Sequence, residues 1–132
     1  SDRFQTTILR FGGLIGANRN PGRFLAGKTG VSGNQPINLI HRDDCVGIIE
    51  TILEKDIWDE TFNAASPVHP TKKEFYTKAA QVSELPAPGF IETNEKFKII
   101  NSDKLIQKLR YNFKYQSPMD YLKEIEEWAY RI

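Results

Sequence analysis

Two histidines, one cysteine and a scatter of arginines are the residues of this 132-residue chain with chemistry beyond packing. His41-Arg42-Asp43-Asp44 joins an imidazole to two carboxylates, the materials of a general base or of part of a metal site. A plainer assignment serves the same residues. One aspartate caps a helix, the other is solvated or pairs with Arg42, and His41 satisfies a local hydrogen bond. His69 stands in a loop between Val68 and Pro70, with no partner nearby in sequence. One cysteine, Cys45, and two distant histidines cannot close a zinc site, and a lone cysteine excludes an internal disulfide. Arg10, Arg19, Arg23, Lys28 and Arg42 surround a glycine-rich stretch. They could grip a phosphate or carboxylate, or form an ordinary solvated face.

Two glycine motifs need their context examined. Gly22-Arg23-Phe24-Leu25-Ala26-Gly27-Lys28-Thr29 fits the P-loop pattern. A P-loop works because a strand delivers it, its amides wrap phosphates, and a helix opens at the lysine. Asn18-Arg19-Asn20-Pro21 precedes this one, and Gly30 to Pro36 follows, a run poor in helix formers. A turn of helix closing on a glycine is the better expectation. Gly12-Gly13-Leu14-Ile15-Gly16 after a strand faintly suggests a dinucleotide turn, but Asn18, Asn20 and Pro21 deny the helix it needs. These glycines let the backbone approach either a ligand or another strand, or they form a plain turn.

The elements that must position these residues alternate. Thr6 to Phe11 is short, β-branched and mostly apolar, and predicts a buried strand. Residues 12–36 hold seven of the nine glycines and predict a long functional loop, with one helical turn around Arg23 to Ala26. Ile37 to Ile40 predicts a second strand. A helix capped by Asp43 or Asp44 follows, burying Cys45, Ile48, Ile49, Ile52 and Leu53. Glu60 to Ala64 is a third strand. Thr71-Lys72-Lys73-Glu74 has the form of a capping box for a helix through Val82. Phe97 to Ile100 is briefly extended, and Ser102 caps a helix bearing Leu105, Ile106 and Leu109. Ser117-Pro118 starts a last helix whose stripe is Tyr121, Leu122, Ile125, Trp128 and Ala129, its aromatics read as core. Strands alternating with helices imply an α/β fold with parallel pairing. Only about three strands are visible, so further strands upstream are expected to flank them.

Composition narrows the class. Hydrophobic residues make up 39% and aromatic residues 11%, enough for a core. Eighteen basic against seventeen acidic residues leave a net charge of +1, with no basic surplus for nucleic acid. No apolar run approaches the roughly 18 residues of a membrane span. The single cysteine fits a reducing cytoplasm. The start at Ser1, without methionine, reads as a cut.

As a whole the pattern resembles the C-terminal half of extended or atypical short-chain dehydrogenase/reductases, the NAD-dependent epimerase/dehydratase proteins. Four blocks in order carry the resemblance, which spans nearly the whole chain. Ile8-Leu9-Arg10-Phe11-Gly12-Gly13-Leu14-Ile15-Gly16 looks like the family's arginine-bearing strand ending beside the nicotinamide. Asn38-Leu39-Ile40-His41-Arg42-Asp43-Asp44 looks like its I-H-V-D-D block, and Phe62-Asn63-Ala64-Ala65 is similar to its returning strand. Asn101-Ser102-Asp103-Lys104-Leu105 with Leu109-Arg110-Tyr111 looks like its late S-x-K and L-G-aromatic segment.

The resemblance implies the C-terminal strands of a Rossmann-type parallel sheet plus a small α/β substrate-binding domain, residues 1–132 forming that part and the N-terminal Rossmann half lying outside. It implies an NAD or NADP cofactor, with Phe11, Gly12 and Leu14 by the nicotinamide. Gly13, Arg19, Arg23, Asn38 and His41 would line the substrate side. The family's Tyr-x-x-x-Lys pair is not here: no lysine stands four residues after Tyr76, Tyr111, Tyr115 or Tyr121. Its Y-G-P reads Ile15-Gly16-Ala17, and its diphosphate-holding arginine before the I-H block is replaced by Gln35-Pro36-Ile37-Asn38, which argues against a sugar nucleotide.

The expected function is therefore the substrate-binding portion of an NAD(P)-dependent epimerase, dehydratase or reductase. Its small-molecule substrate would be sugar-like or bear a hydroxyl or carbonyl, and this chain alone would hold no complete active site. The rivals are a non-catalytic dinucleotide sensor or scaffold of the same fold and, last, a P-loop module. Expected partners are the missing N-terminal half or, through an unpaired strand edge, a second copy by dimerisation or domain swapping.

Overall fold

The computed structural model describes residues 4–17 and 19–130, with side chains through Trp128. In order they form β1 (Ile8–Phe11), β2 (Gly13–Ile15), a 3-10 turn (Pro21–Arg23), β3 (Val31–Ser32), β4 (Leu39–His41) and α1 (Arg42–Lys55). β5 (Thr61–Ala64), α2 (Lys72–Val82), β6 (Phe90–Ile91), α3 (Asp103–Leu109) and α4 (Pro118–Tyr130) complete them. The strands pair β1 with β5, β2 with β4 and β3 with β6, all parallel. The α/β class and parallel pairing are as the sequence implies. β2, β3 and β6, of two or three residues each, are too short for any periodicity to reveal.

Two apolar clusters hold the elements. Cys45, Ile48 and Ile52 of α1 pack with Phe62 of β5, Leu105 and Leu109 of α3, and Phe113. Ile15 of β2 packs with Phe75 and Ala79 of α2 and Leu122 of α4. The pattern mispredicts burial at several apolar positions. Among the described residues β1 pairs with β5 alone. Ile8 is 49% and Phe11 38% exposed, so the strand read as buried presents a bare face. Ile49 and Leu53, assigned to the buried stripe of α1, are exposed with Val46. Trp128, read as core, is exposed near the end of α4, and Ala129 lies outside the described side chains.

The helix starts follow local chemistry. Thr71 and Glu74 form the expected capping box. The Ser117 hydroxyl accepts from Met119 N at 3.2 Å, with Pro118 at the first helical position. Three details differ. α1 is capped by His41, whose Nδ1 accepts from Asp43 N at 3.0 Å, because β4 ends at His41, two and three residues before the aspartates. Ser102 makes no cap bond; its hydroxyl accepts from Ala65 N at 2.9 Å and donates to Ala65 O at 2.7 Å, tying α3 to the end of β5. The helical turn expected at Arg23 to Ala26 sits two residues earlier. Asn20 caps it and Pro21 fixes its first φ.

Asp44 is spent on structure. Fully buried, its carboxylate accepts from Tyr111 Oη at 2.6 Å, Lys114 N at 2.8 Å and Tyr115 N at 3.1 Å. It ties the start of α1 to the segment before α4. Asp43 stays at the surface and pairs with Lys114 at 3.0 Å.

Candidate functional site

The run from Ile8 to Ile15 belongs to two sheets. Gly12 N donates to Ala64 O of β5 at 2.9 Å, and the next amide, Gly13 N, donates to Asn38 O beside β4 at 2.8 Å. The chain changes partner within one residue. A Cβ on Gly12 would lie 2.6 Å from Asn38 O, one on Gly13 2.8 Å from Leu39 Cδ2, and one on Gly16 2.7 Å from His41 Nε2. The glycines thus answer the question the sequence leaves open: they admit a second strand, β4. On either side of Gly12 and Gly13, Phe11 and Leu14 remain exposed.

Beside β2 opens a cavity of about 490 Å³, within the size range of small-molecule sites. β2 contributes Gly13, Leu14 and Ile15, and β4 contributes Leu39. Arg19, Arg23 and Phe24 come from the connection, and Tyr76 from α2. Phe24 and Tyr76 pack ring to ring, with centroids 5.6 Å apart at 39°. Burial pushes the Tyr76 phenol up from its ordinary pKa, so it stays protonated. The connection is pinned at Asn20, whose Oδ1 accepts from Gly22 N and from Ser83 Oγ at the end of α2, each at 2.9 Å. Gly22 has no room for a side chain, since its Cβ would sit 2.5 Å from Ala79 O.

Among the residues expected to form a site, the fold brings Gly13, Leu14, Arg19 and Arg23 to this cavity. Phe11 and Gly12 lie immediately before it. Asn38 and His41 do not line it, and both are otherwise occupied. Asn38 Nδ2 donates to Lys98 O at 2.8 Å and its Oδ1 accepts from Ile100 N at 2.7 Å, clasping the extended 97–100 segment, which forms no strand. His41 is 4% exposed, stacked on Tyr115 at 4.0 Å and met edge-on by Tyr121. Burial lowers its pKa, against the opposing pull of Asp43, Asp44 and Glu124. Phe24, Leu39 and Tyr76 were missed by sequence. Nothing in their spacing ties Tyr76, on another helix, to the glycine-rich segment. The P-loop reading fails as its context implies. No helix begins at Lys28; the helical turn Pro21–Arg23 ends at Phe24 rather than on a glycine, and Gly27, at φ +71°, lies in a separate turn in which Lys28 N donates to Leu25 O at 3.0 Å.

A second, smaller cavity of about 260 Å³ lies between the end of β5 and the start of α3. His69 reaches it, its Nδ1 donating to Ile37 O at 3.0 Å. Among the described residues no three His, Cys, Asp or Glu side chains gather as a metal site, and no helix is long and apolar enough to cross a membrane.

No protein-family model matches the chain. Over 114 residues it is 35% identical to Protein YeeZ of Escherichia coli (strain K12), a stretch covering 85% of this chain and 42% of that protein. A functionally unknown conserved protein from Silicibacter pomeroyi superposes with a TM-score of 0.75 at 16% identity, over 93% of this chain and 48% of the other. A human epimerase family protein with NADPH gives 0.68 at 20% identity, over 93% and 48%. dTDP-glucose 4,6-dehydratase from Bacillus anthracis in complex with NAD gives 0.69 at 17%, over 95% and 44%. The fold is that of the NAD-dependent epimerases and dehydratases. This chain spans less than half the length of the relatives it matches. In the epimerase/dehydratase fold the carboxyl ends of parallel strands are where a crevice for ligands forms. The cavity beside β2 adjoins the point where the ladder changes partner.

Proposed function

We propose that this chain is the substrate-facing part of an NAD(P)-dependent epimerase, dehydratase or reductase, whose dinucleotide turn and Tyr/Lys pair are supplied by the N-terminal half of the same protein. The observation that carries this reading is the adjacency of two surfaces. The exposed Phe11–Leu14 turn lies directly beside a cavity bearing two arginines. Phe11 and Leu14 are bare apolar groups fit to meet a nicotinamide ring, and Gly12 between them presents only backbone. When bound, the nicotinamide would supply or accept hydride. This chain's residues would seat a sugar-like or hydroxyl/carbonyl substrate in the cavity and keep water from the reacting face. Cys45 and Asp44 take no part, being buried in the opposite cluster and in the α1 network.

The test unites the chain with the dinucleotide-binding half encoded by its gene and follows NADH and NADPH fluorescence. Binding that weakens in Leu14→Asp, with the fold retained, supports the reading. The absence of a tyrosine and lysine four residues apart in that half removes the enzyme and leaves a dinucleotide-binding scaffold. No dinucleotide binding by the united protein removes both.

A further inference from the structure

The chemistry of the cavity beside β2 is one-sided. Among the described residues its only charged lining groups are Arg19 and Arg23. Among the described residues no carboxylate pairs with either guanidinium, whereas Asp43, Glu60 and Glu126 all have cationic partners. Guanidinium stays charged at any working pH and presents a fork of donors that matches an oxyanion. Two such groups at one opening, with no acid among the described lining residues, have the chemistry to receive an anion.

The remainder of the lining is apolar or aromatic: Leu14, Ile15, Leu39, and the Phe24–Tyr76 pair. The backbone between the two arginines is also pinned. Asn20, between them, is bonded to Gly22 N and Ser83 Oγ, and Gly22 lies against Ala79 O. The turn carrying Arg23, with Arg19 just before it, is therefore fixed to the helix carrying Tyr76.

The polar side chains just before β4 are engaged from within. Gln35 Nε2 donates to Thr93 Oγ1 and Glu95 Oε2, each at 3.0 Å, and Asn38 clasps Lys98 and Ile100. The segment just before β4 thus holds the chain's own 93–100 strap.

Resting on the proposed location of the substrate side, we infer that the cavity takes a small amphipathic oxyanion. A single carboxylate or phosphate would lie on Arg19 and Arg23, joined to a flat apolar body packed against Phe24 and Tyr76.

The test titrates the chain by calorimetry with phenyl phosphate, benzoate, benzyl alcohol, inorganic phosphate and UDP. Phenyl phosphate or benzoate, whichever matches the native oxyanion, should bind at least tenfold more tightly than both benzyl alcohol and inorganic phosphate. Arg23→Gln should weaken that binding tenfold or more, Arg23→Lys less, and Tyr76→Ala should weaken the aryl ligands while sparing inorganic phosphate. Circular dichroism of each variant checks the fold. Equal binding of benzyl alcohol, no effect of Arg19→Gln or Arg23→Gln in folded protein, or UDP binding that outcompetes the aryl anions independently of both arginines would overturn the inference. So would no binding of any aryl anion. The readout contains no dinucleotide, so failure here leaves the nicotinamide reading standing, and loss of dinucleotide binding leaves this result intact.

Discussion

The Tyr111 hydroxyl donates to the buried carboxylate of Asp44 at 2.6 Å, across two segments that meet only in the folded chain. Lys114 N and Tyr115 N share the same acceptor, so one side chain satisfies three donors. Removing Tyr111 Oη alone, in Tyr111→Phe, should cost about 1.5–3 kcal/mol, the range for a hydrogen bond to a charged group. Asp44→Ala also strands two backbone donors, each unmet buried donor costing about 1–3 kcal/mol, and should cost more. Urea unfolding of both variants checks the order; equal losses would remove the shared-acceptor account.

His41 predicts a pH dependence with a definite sign. Burial lowers its folded pKa below the ordinary 6.5. As pH falls below about 6.5, the unfolded chain takes up this proton first, and the folded state loses stability from there down to the lowered pKa. Above 6.5 the contribution is complete. Protonation at Nδ1 would also displace the Asp43 amide that it now accepts. His41→Asn keeps a good helix cap without a titrating ring. Its melting temperature should fall less steeply below pH 6.5 than that of the parent chain, though lower overall for the lost stacking on Tyr115.

Cys45 should be inert. Burial, followed by the charge of Asp44, pushes its thiol up to about 11, and the residue is 8% exposed. Labelling by a disulfide reagent at pH 8 should proceed only as fast as the chain opens and accelerate sharply in urea. Rapid labelling of the native protein would contradict this burial.

The open side of β1 should associate. Ile8 and Phe11 are exposed on a strand that pairs on one side. Light scattering of the isolated chain should show dimers or larger species, and Ile8→Lys should shift them toward monomer. A monodisperse parent at high concentration would show that this edge is masked.

Sequence reasoning reached the fold through its longest signals. The stripe of α1, the capping box at Thr71 and the Ser117-Pro118 start are local, and each is visible within a few residues. The alternation of strand and helix was enough for parallel pairing. What it missed depends on distant partners. Tyr76 joins the cavity only because Asn20 and Gly22 fix the turn to α2. Asn38 and His41 look chemical in sequence because their polar atoms are uncommitted there. The fold commits those atoms to Lys98, Ile100 and Asp43. The exposure of Ile49 and Leu53 was hidden for the converse reason, since apolar spacing reports a face but not what covers it.

Gly12 also sets the alignment of the run from Ile8 to Ile15. A slip of one residue in one direction would bring Phe11, with its Cβ, against the Asn38 carbonyl. A slip in the other would keep a glycine there but turn every neighbouring side chain to the opposite face. Ile15 would leave the cluster with Phe75 for the exposed place of Leu14, and Gly16 would stand where Ile15 packed. The paired glycines therefore act as an index mark: they determine which side chains of this run meet solvent, before any ligand arrives.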